Sequence, residues 1–186
     1  GSEMCIRDST NTAIGMAALD VNTTGDQNVA VGGAALGANT TANNNTAIGY
    51  AALEANTTGT RLVAIGMNAL NSNTTANDNI AVGNNVLDAN TTGTGNVAMG
   101  YNSLGANTTA NYNTAIGYKA LEANTTGDGN TAVGYNALLS QTTSDATVAV
   151  GAYAGDAITT TSNTVLVGYG AGGKLTTGNG HTLIGY

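Results

Sequence analysis

The hydrophobic pattern of this chain is carried by a short run of β-branched and small residues, N-T-A-I-G-Y at Asn45 to Tyr50, that returns every 17 residues. The full unit reads N-[T/V]-A-[I/V]-G-[Y/M]-x-A-L-x-A-N-T-T-[G/A]-x-x. Units open at Asn11, Asn28, Asn45, Leu62, Asn79, Asn96, Asn113, Asn130, Thr147 and Thr164, with a partial eleventh from His181, and no insertion or deletion disturbs the count. A period this strict predicts units stacked on one another with a single geometry, an all-β parallel solenoid of ten 17-residue coils.

Counting the opening residue as position one, position five is Gly in every unit, among them Gly49, Gly66 and Gly117. Position four is always Ile, Val or Met, as at Ile48 and Ile116, and position two is Thr, Val or Ile. Position three is Ala in nine units and Leu in the last two, Leu166 and Leu183. Alternation along a strand puts positions two and four on one face and position three on the other. The β-branched bias favours a short strand, ended by the Gly turn. Position nine is Leu in the first eight units, including Leu53 and Leu121, and then becomes Gly155 and Gly172. Positions four and nine are therefore expected to fill the interior. Two large apolar side chains are few for 17 ordered residues, so the Ala row is expected to form a second close-packed surface between chains. The simplest assembly is a homotrimer around the long axis. The segment Tyr-x-Ala-Leu-x-Ala, as at Tyr50 to Ala55, is too short for an autonomous helix and is expected to be a bent outer strand.

The N-T-T segment follows. Both Thr columns are unbroken in all ten full units, as at Thr57 with Thr58 and Thr125 with Thr126, whereas the preceding Asn gives way to Gln141, Ile158 and Leu175. Coils stacked at ~4.8 Å turn each column into a ladder whose side chains bond to their copies above and below. A second period of 34 overlies the first, because position ten is acidic only in alternate units, at Asp20, Glu54, Asp88, Glu122 and Asp156. Skipping a coil moves like charges to ~10 Å, about a Debye length. The last units lose Leu at position nine and gather Gly, which predicts a changing cross-section near a junction or cap.

Composition narrows the partners. Phe, Trp and Pro are absent, and a net charge of −7 with only 4 Lys plus Arg leaves no cationic patch for nucleic acid or anionic lipid. No apolar run approaches the ~20 residues of a membrane span, so no membrane insertion is expected within this fragment. The single Cys5 cannot close an intrachain disulfide. Residues 1–9, G-S-E-M-C-I-R-D-S, fit no repeat position and resemble the in-frame translation of a sequencing-library adapter, so they are set apart as a non-native or disordered leader. Residues 10–186 are read as one solenoid domain cut at both ends.

Chemistry is sparse. His181, the only histidine, replaces the Asn of position one and reads as a ladder substitution. Carboxylates ~10 Å apart along the acidic column cannot share an ion at 2.3–2.6 Å ligand distances. The G-x-G-x-x-G match from Gly168 has no strand–helix unit around it, and N-T-T as an N-glycosylation sequon is incidental to its turn role. Neither catalysis, metal nor cofactor is expected. Arg61 and Tyr112 are the candidate surface-contact residues.

The unit resembles the S-V-A-I-G-x-x-A-x-A-x-G head repeats of trimeric autotransporter adhesins of the YadA type. It is closer still to the N-T-A-I-G-Y-x-A-L repeats of phage-type tail-fibre and surface proteins that carry an endosialidase-type intramolecular chaperone. The likeness spans residues 11–186. It implies a left-handed parallel β-roll, trimerised into an extracellular shaft or head on a bacterial surface or virion, adhering to a host surface or matrix component. The family head unit is shorter, which implies a longer loop here. A different class of function, an ice- or crystal-surface binder using Thr ladders, meets the objection that adjacent Thr residues in an extended segment point to opposite faces. A passive fibre spacer is the third possibility.

Overall fold

The computed structural model describes residues 10–186, so the leader and Cys5 lie outside the described residues. Its strands are β1 Thr12–Ile14, β2 Val29–Val31, β3 Thr46–Ile48, β4 Val63–Ile65, β5 Ile80–Val82, β6 Val97–Met99, β7 Thr114–Ile116, β8 Thr131–Val133, β9 Val148–Val150, β10 Val165–Val167 and β11 Thr182–Ile184. Each covers positions two to four of a unit. They form one parallel sheet in chain order, β1 to β11, and no helix occurs among the described residues. Thr46 lies on Val63, Ala47 on Ala64 and Ile48 on Ile65, and every other pair keeps the same one-unit register. The fold is the expected parallel β-solenoid.

Hydrogen bonding between coils does not stop at the strands. Gly49 N–H donates to the Val31 carbonyl at 2.8 Å and Ala51 N–H to Gly33 at 2.9 Å, both toward the preceding coil. Leu53 N–H donates to Ala69 at 3.0 Å and Thr57 N–H to Thr74 at 3.0 Å, toward the following one. The ladder thus runs around the circumference. At position five it requires glycine on two counts: φ lies between 115° and 141° in all eleven coils, and a Cβ on Gly49 would sit 2.6 Å from the Gly66 carbonyl carbon.

The expected bent outer strand is absent. Positions seven and nine are instead left-handed, as at Ala51 (φ 56°) and Leu53 (φ 54°), and so is position seventeen, as at Arg61 (φ 58°). Two left-handed residues separated by one other fold the chain back within a single corner. For an L-residue each costs roughly 1–2 kcal/mol. Full burial of the position-nine Leu, including Leu53 and Leu121, contributes about 1.5–3 kcal/mol and offsets it.

The strand faces are inverted relative to expectation. Position-three alanines such as Ala47, Ala64 and Ala115 are fully buried and form one core cluster with the position-nine leucines. Position four faces outward: Ile48 is 39% exposed, Ile65 37% and Ile116 38%. The reason is volume. One Leu per coil, together with buried Asn at positions one and twelve, leaves room beside the strand for a methyl group only. The Ala row is therefore interior and the association surface assigned to it is not there.

Buried asparagine makes much of this interior polar. Asn45 Nδ2 donates to the Gly59 carbonyl at 2.8 Å, and its Oδ1 accepts from Leu62 N–H at 3.0 Å. Asn56 Nδ2 reaches the same carbonyl at 3.0 Å and Asn39 Oδ1 at 3.3 Å, while its own Oδ1 accepts from Gly59 N–H and Asn73 Nδ2. The amides close the turn and tie coil to coil, and none is left bare in this stretch.

The last coils keep the same strand register. Their cross-section is conserved by an exchange across neighbouring coils: Leu166 at position three of coil ten fills the space that Gly155 and Gly172 leave at position nine. A Cβ on Gly172 would lie 2.8 Å from Leu166 Cδ2, so Leu166 occupies the space a position-nine Leu would fill. Leu166→Ala should cost about 2–4 kcal/mol in urea unfolding. Adding Gly172→Leu to that variant should restore much of the loss, although Gly172→Leu alone overpacks and destabilises. Equal loss in the single and the double variant would contradict the exchange.

Candidate functional site

The alternation that buries position three turns positions two and four outward along eleven strands, and position six, beyond the Gly turn, is also exposed in most coils. Position four contributes an unbroken Ile/Val/Met row. Position six contributes Tyr50 and, from coil six onward, most of a run of rings in contact, some stacked and some edge-on. Tyr101 and Tyr118 have centroids 5.4 Å apart at 16°, and Tyr118 and Tyr135 5.1 Å apart at 7°. In coil nine position six is Ala152, and Tyr153 of position seven supplies the ring instead, 5.3 Å from Tyr135 and 5.7 Å from Tyr169. Tyr186 stacks on Tyr169 at 5.6 Å and ends the row. Burial among the neighbouring rings, first, pushes the Tyr153 phenol above its ordinary value. Lys119 sits beside the stripe, its Nζ 3.1 Å from Glu122 and 5.9 Å from the Tyr118 centroid.

On another side of the coil lies a Thr band. Position-thirteen hydroxyls donate to the backbone of the following coil, Thr57 Oγ1 to the Thr74 carbonyl at 3.0 Å and Thr125 Oγ1 to Thr142 at 3.1 Å, and the pattern runs from Thr23 to Thr159. That is the expected ladder, with the carbonyl rather than the next hydroxyl as acceptor. Position fourteen, including Thr58 and Thr126, is exposed in every coil. The segment is not part of a strand, and the position-thirteen rank is half-buried in most coils while the position-fourteen rank is exposed.

The two predicted contact residues share column seventeen, three coils apart, and the structure does not bring them together. The Arg61 guanidinium is held by Asp78 of the next coil, Nε to Oδ1 at 2.6 Å and Nη2 to Oδ2 at 2.8 Å. That bond keeps the Asp78 carboxyl below its ordinary value. Tyr112 is 72% exposed, and its ring lies against Gly95, where an added Cβ would be 2.7 Å from it. The backbone N–H of His181 donates to Thr164 Oγ1 at 3.4 Å, as the backbone at position one does toward the preceding coil elsewhere in the column. The Gly-rich stretch from Gly168 leads out of β10 into turns, with no helix behind it. The position-twelve Asn of each central sequon is fully buried with its Nδ2 bonded, as at Asn56 and Asn124. No group of three or more His, Cys, Asp or Glu is placed to hold a metal ion among the described residues. What the sequence reading missed is the outward apolar row itself, along with the stripe beside it.

In the acidic column two carboxylates accept from an Asn of a neighbouring coil, and Glu122 is paired with Lys119 as well. Glu54 Oε2 accepts from Asn71 Nδ2 at 3.1 Å, and Glu122 accepts from Asn102 Nδ2. No family model matches this chain, and no match was found among curated proteins or solved structures.

Asp88 stands out in that column because burial raises its pKa above the usual 3.8. A folded-state value above the unfolded one means that ionisation opposes folding. The penalty is absent well below pH 3.8 and grows as pH rises through the raised value. Asp88→Asn should therefore be more stable than the parent chain at neutral pH, with the difference shrinking toward pH 3. Thermal unfolding at the two pH values tests this, and a difference that does not change with pH would refute it.

Proposed function

We propose that this chain is a non-catalytic structural and adhesive module, a rod that associates with copies of itself through its outward sheet face. The simplest form is a homotrimer of left-handed rolls, displayed outside the cell or on a virion fibre, with the Thr band and column seventeen turned toward a host surface or matrix component. The observation that carries the reading is the position-four row. A solvated sheet face normally alternates to polar residues, and here it is Ile, Val or Met in every coil. Large contiguous apolar patches beyond a few hundred Å² mark interaction sites. The row is exposed along the length of the rod, with Ile48 at 39% and Ile116 at 38%, and exposed tyrosines add further apolar surface. The adhesive role rests on the resemblance of the repeat unit to adhesin heads and tail fibres. Analytical ultracentrifugation should give a discrete oligomer for the chain and a monomer with unchanged circular dichroism for Ile48→Lys with Ile116→Lys. A monomeric parent chain would end this reading.

A second reading, binding to an ice or crystal surface, is favoured by the outer Thr rank. Its hydroxyls make no bond within the fold, yet the residue never varies, whereas exposed positions six, seven and seventeen vary freely. Thermal hysteresis from the folded chain, lost on replacing Thr75, Thr92 and Thr109 by Lys, would support it. Its absence in the parent chain would remove it.

A further inference from the structure

Two rows of buried amides run along the rod, at positions one and twelve, and both end around coil eight, residues 130–146. Position twelve is Asn from Asn22 to Asn124, then Gln141, Ile158 and Leu175. Position one is Asn, Leu62 apart, up to Asn130 and continues as Thr147, Thr164 and His181. Through coil seven the position-twelve amide donates to the coil before it, as Asn73 Nδ2 does to Asn56 Oδ1 at 3.0 Å. Gln141 breaks the row. Its longer side chain sends Nε2 to the Ser144 carbonyl of its own coil at 3.0 Å, and Asn124 Oδ1 is left without a donor. Ile158 has nothing to offer Gln141 Oε1, which is also bare. Ser144 and Thr161 stand at position fifteen, which is Gly or Ala in the first seven coils, and each buries a hydroxyl with no partner.

We infer that coil eight is a built-in joint: the rod opens there first, with coils nine to eleven coming away as a unit while the coils before it stay folded. In a stack of repeats, cooperativity is carried by the coupling between neighbours and fails first where that coupling is weakest. Among the described residues, the buried side-chain atoms that lack a partner all lie in coils seven to nine, Asn136 Oδ1 being the remaining one. A single such group shifts a local opening equilibrium by roughly five- to a hundredfold. Each block is consistent on its own side. The Asn rows hold the coils before the joint. Beyond it the interior is apolar and closely packed, since a Cβ on Gly155 would lie 2.6 Å from Leu166 Cδ1 and 3.0 Å from Ile158 Cδ1. The backbone ladder still crosses the joint, as Leu138 N–H to the Ala154 carbonyl at 3.0 Å, and so do side-chain bonds to backbone, as Thr142 Oγ1 to the Thr159 carbonyl at 3.3 Å. What does not cross is the amide-to-amide row. The ring contacts change at the same place, from 7° between Tyr118 and Tyr135 to 61° between Tyr135 and Tyr153.

Hydrogen exchange of the full chain, read peptide by peptide in a mass spectrometer and corrected for intrinsic rates, tests this. Backbone amides of coils nine and ten should exchange faster than those of coils two and three by about tenfold or more, with a step at coil eight and correlated exchange across nine and ten. Gln141→Asn with Ser144→Ala and Thr161→Gly restores the residue types of the earlier coils. It should slow coils nine and ten by about tenfold or more and leave coils two to six within about twofold. Asn73→Gln with Ala76→Ser writes a copy of the joint into coil four and should create a second step there. Equal protection on both sides of coil eight would overturn the joint, as would a smooth gradient running from coil eight to Tyr186 with no step. So would a repaired variant that keeps the step while its circular dichroism matches the parent. A coil-four variant that folds like the parent and shows no new step would count against it equally.

Discussion

The structure depends on one constraint: every coil must have the cross-section of the coils above and below it. Backbone N–H and C=O groups bond between coils in the strands, at the Gly turn, at the left-handed corner and along the Thr segment, so no part of the circumference is free to swell or shrink. A column can therefore change only if another column compensates within the same slice. The Gly at position five cannot change at all, because its Cβ would enter the next coil's carbonyl. Leu166 can enter only because Gly155 and Gly172 have made way for it.

The constraint also explains a polar interior in so thin a rod. A 17-residue coil with two corners has many turn amides that no strand can satisfy, and buried Asn side chains supply the missing partners. Each Asn bonds along the axis, so its benefit depends on the neighbour carrying the same group, and the row strengthens as a unit. Where the row ends, the cost appears. Gln141 does not take up the Asn124 Oδ1, and Gln141 Oε1, Ser144 Oγ and Thr161 Oγ1 are also buried without partners. Each such group costs about 1–3 kcal/mol. Beyond them Ile158 and Leu175 convert the column to an apolar one. Coils eight and nine are thus a seam between a polar and an apolar interior, and Tyr135 and Tyr153 of the outer stripe make contact across the same coils.

Much of this was legible in the sequence, because an unbroken period fixes register without any knowledge of packing. The strands, their parallel order, the Gly column and the Thr ladder all follow from it. Period-two parity says which residues share a face, but not which face is inside. Hydrophobicity pointed to Ile48 and Ile116, and the narrow coil, whose width no single unit reveals, selected Ala instead. The signal was nonetheless present in the last coils, where Leu166 and Leu183 appear at position three as Leu gives way to Gly155 and Gly172 at position nine. The left-handed corner had a signal as well: Asn68, Asn85, Asn102 and Asn136 at position seven, and Gly95 and Gly129 at position seventeen. Leu53 and Tyr112, which avoid that conformation elsewhere, masked it. Arg61 read as a free contact because its partner, Asp78, was one whole unit away in sequence but adjacent in space.

The outward row puts the remaining weight on association. Position four is uniform across eleven coils although the interior does not contain it, and a polar residue there would leave the backbone ladder, the Asn rows and the Leu column untouched. An isolated rod would gain from such a change, since an apolar sheet face in water invites aggregation and is ordinarily interrupted by charge. No Lys, Glu or Asp interrupts this one. The columns that do vary, six, seven, ten and seventeen, lie beyond the Gly turn. A side chain restricted as tightly as the buried ones, yet held outside the coil, is what supports the proposal that something packs against it. The coil's own chemistry supplies the simplest such object, another coil of the same shape.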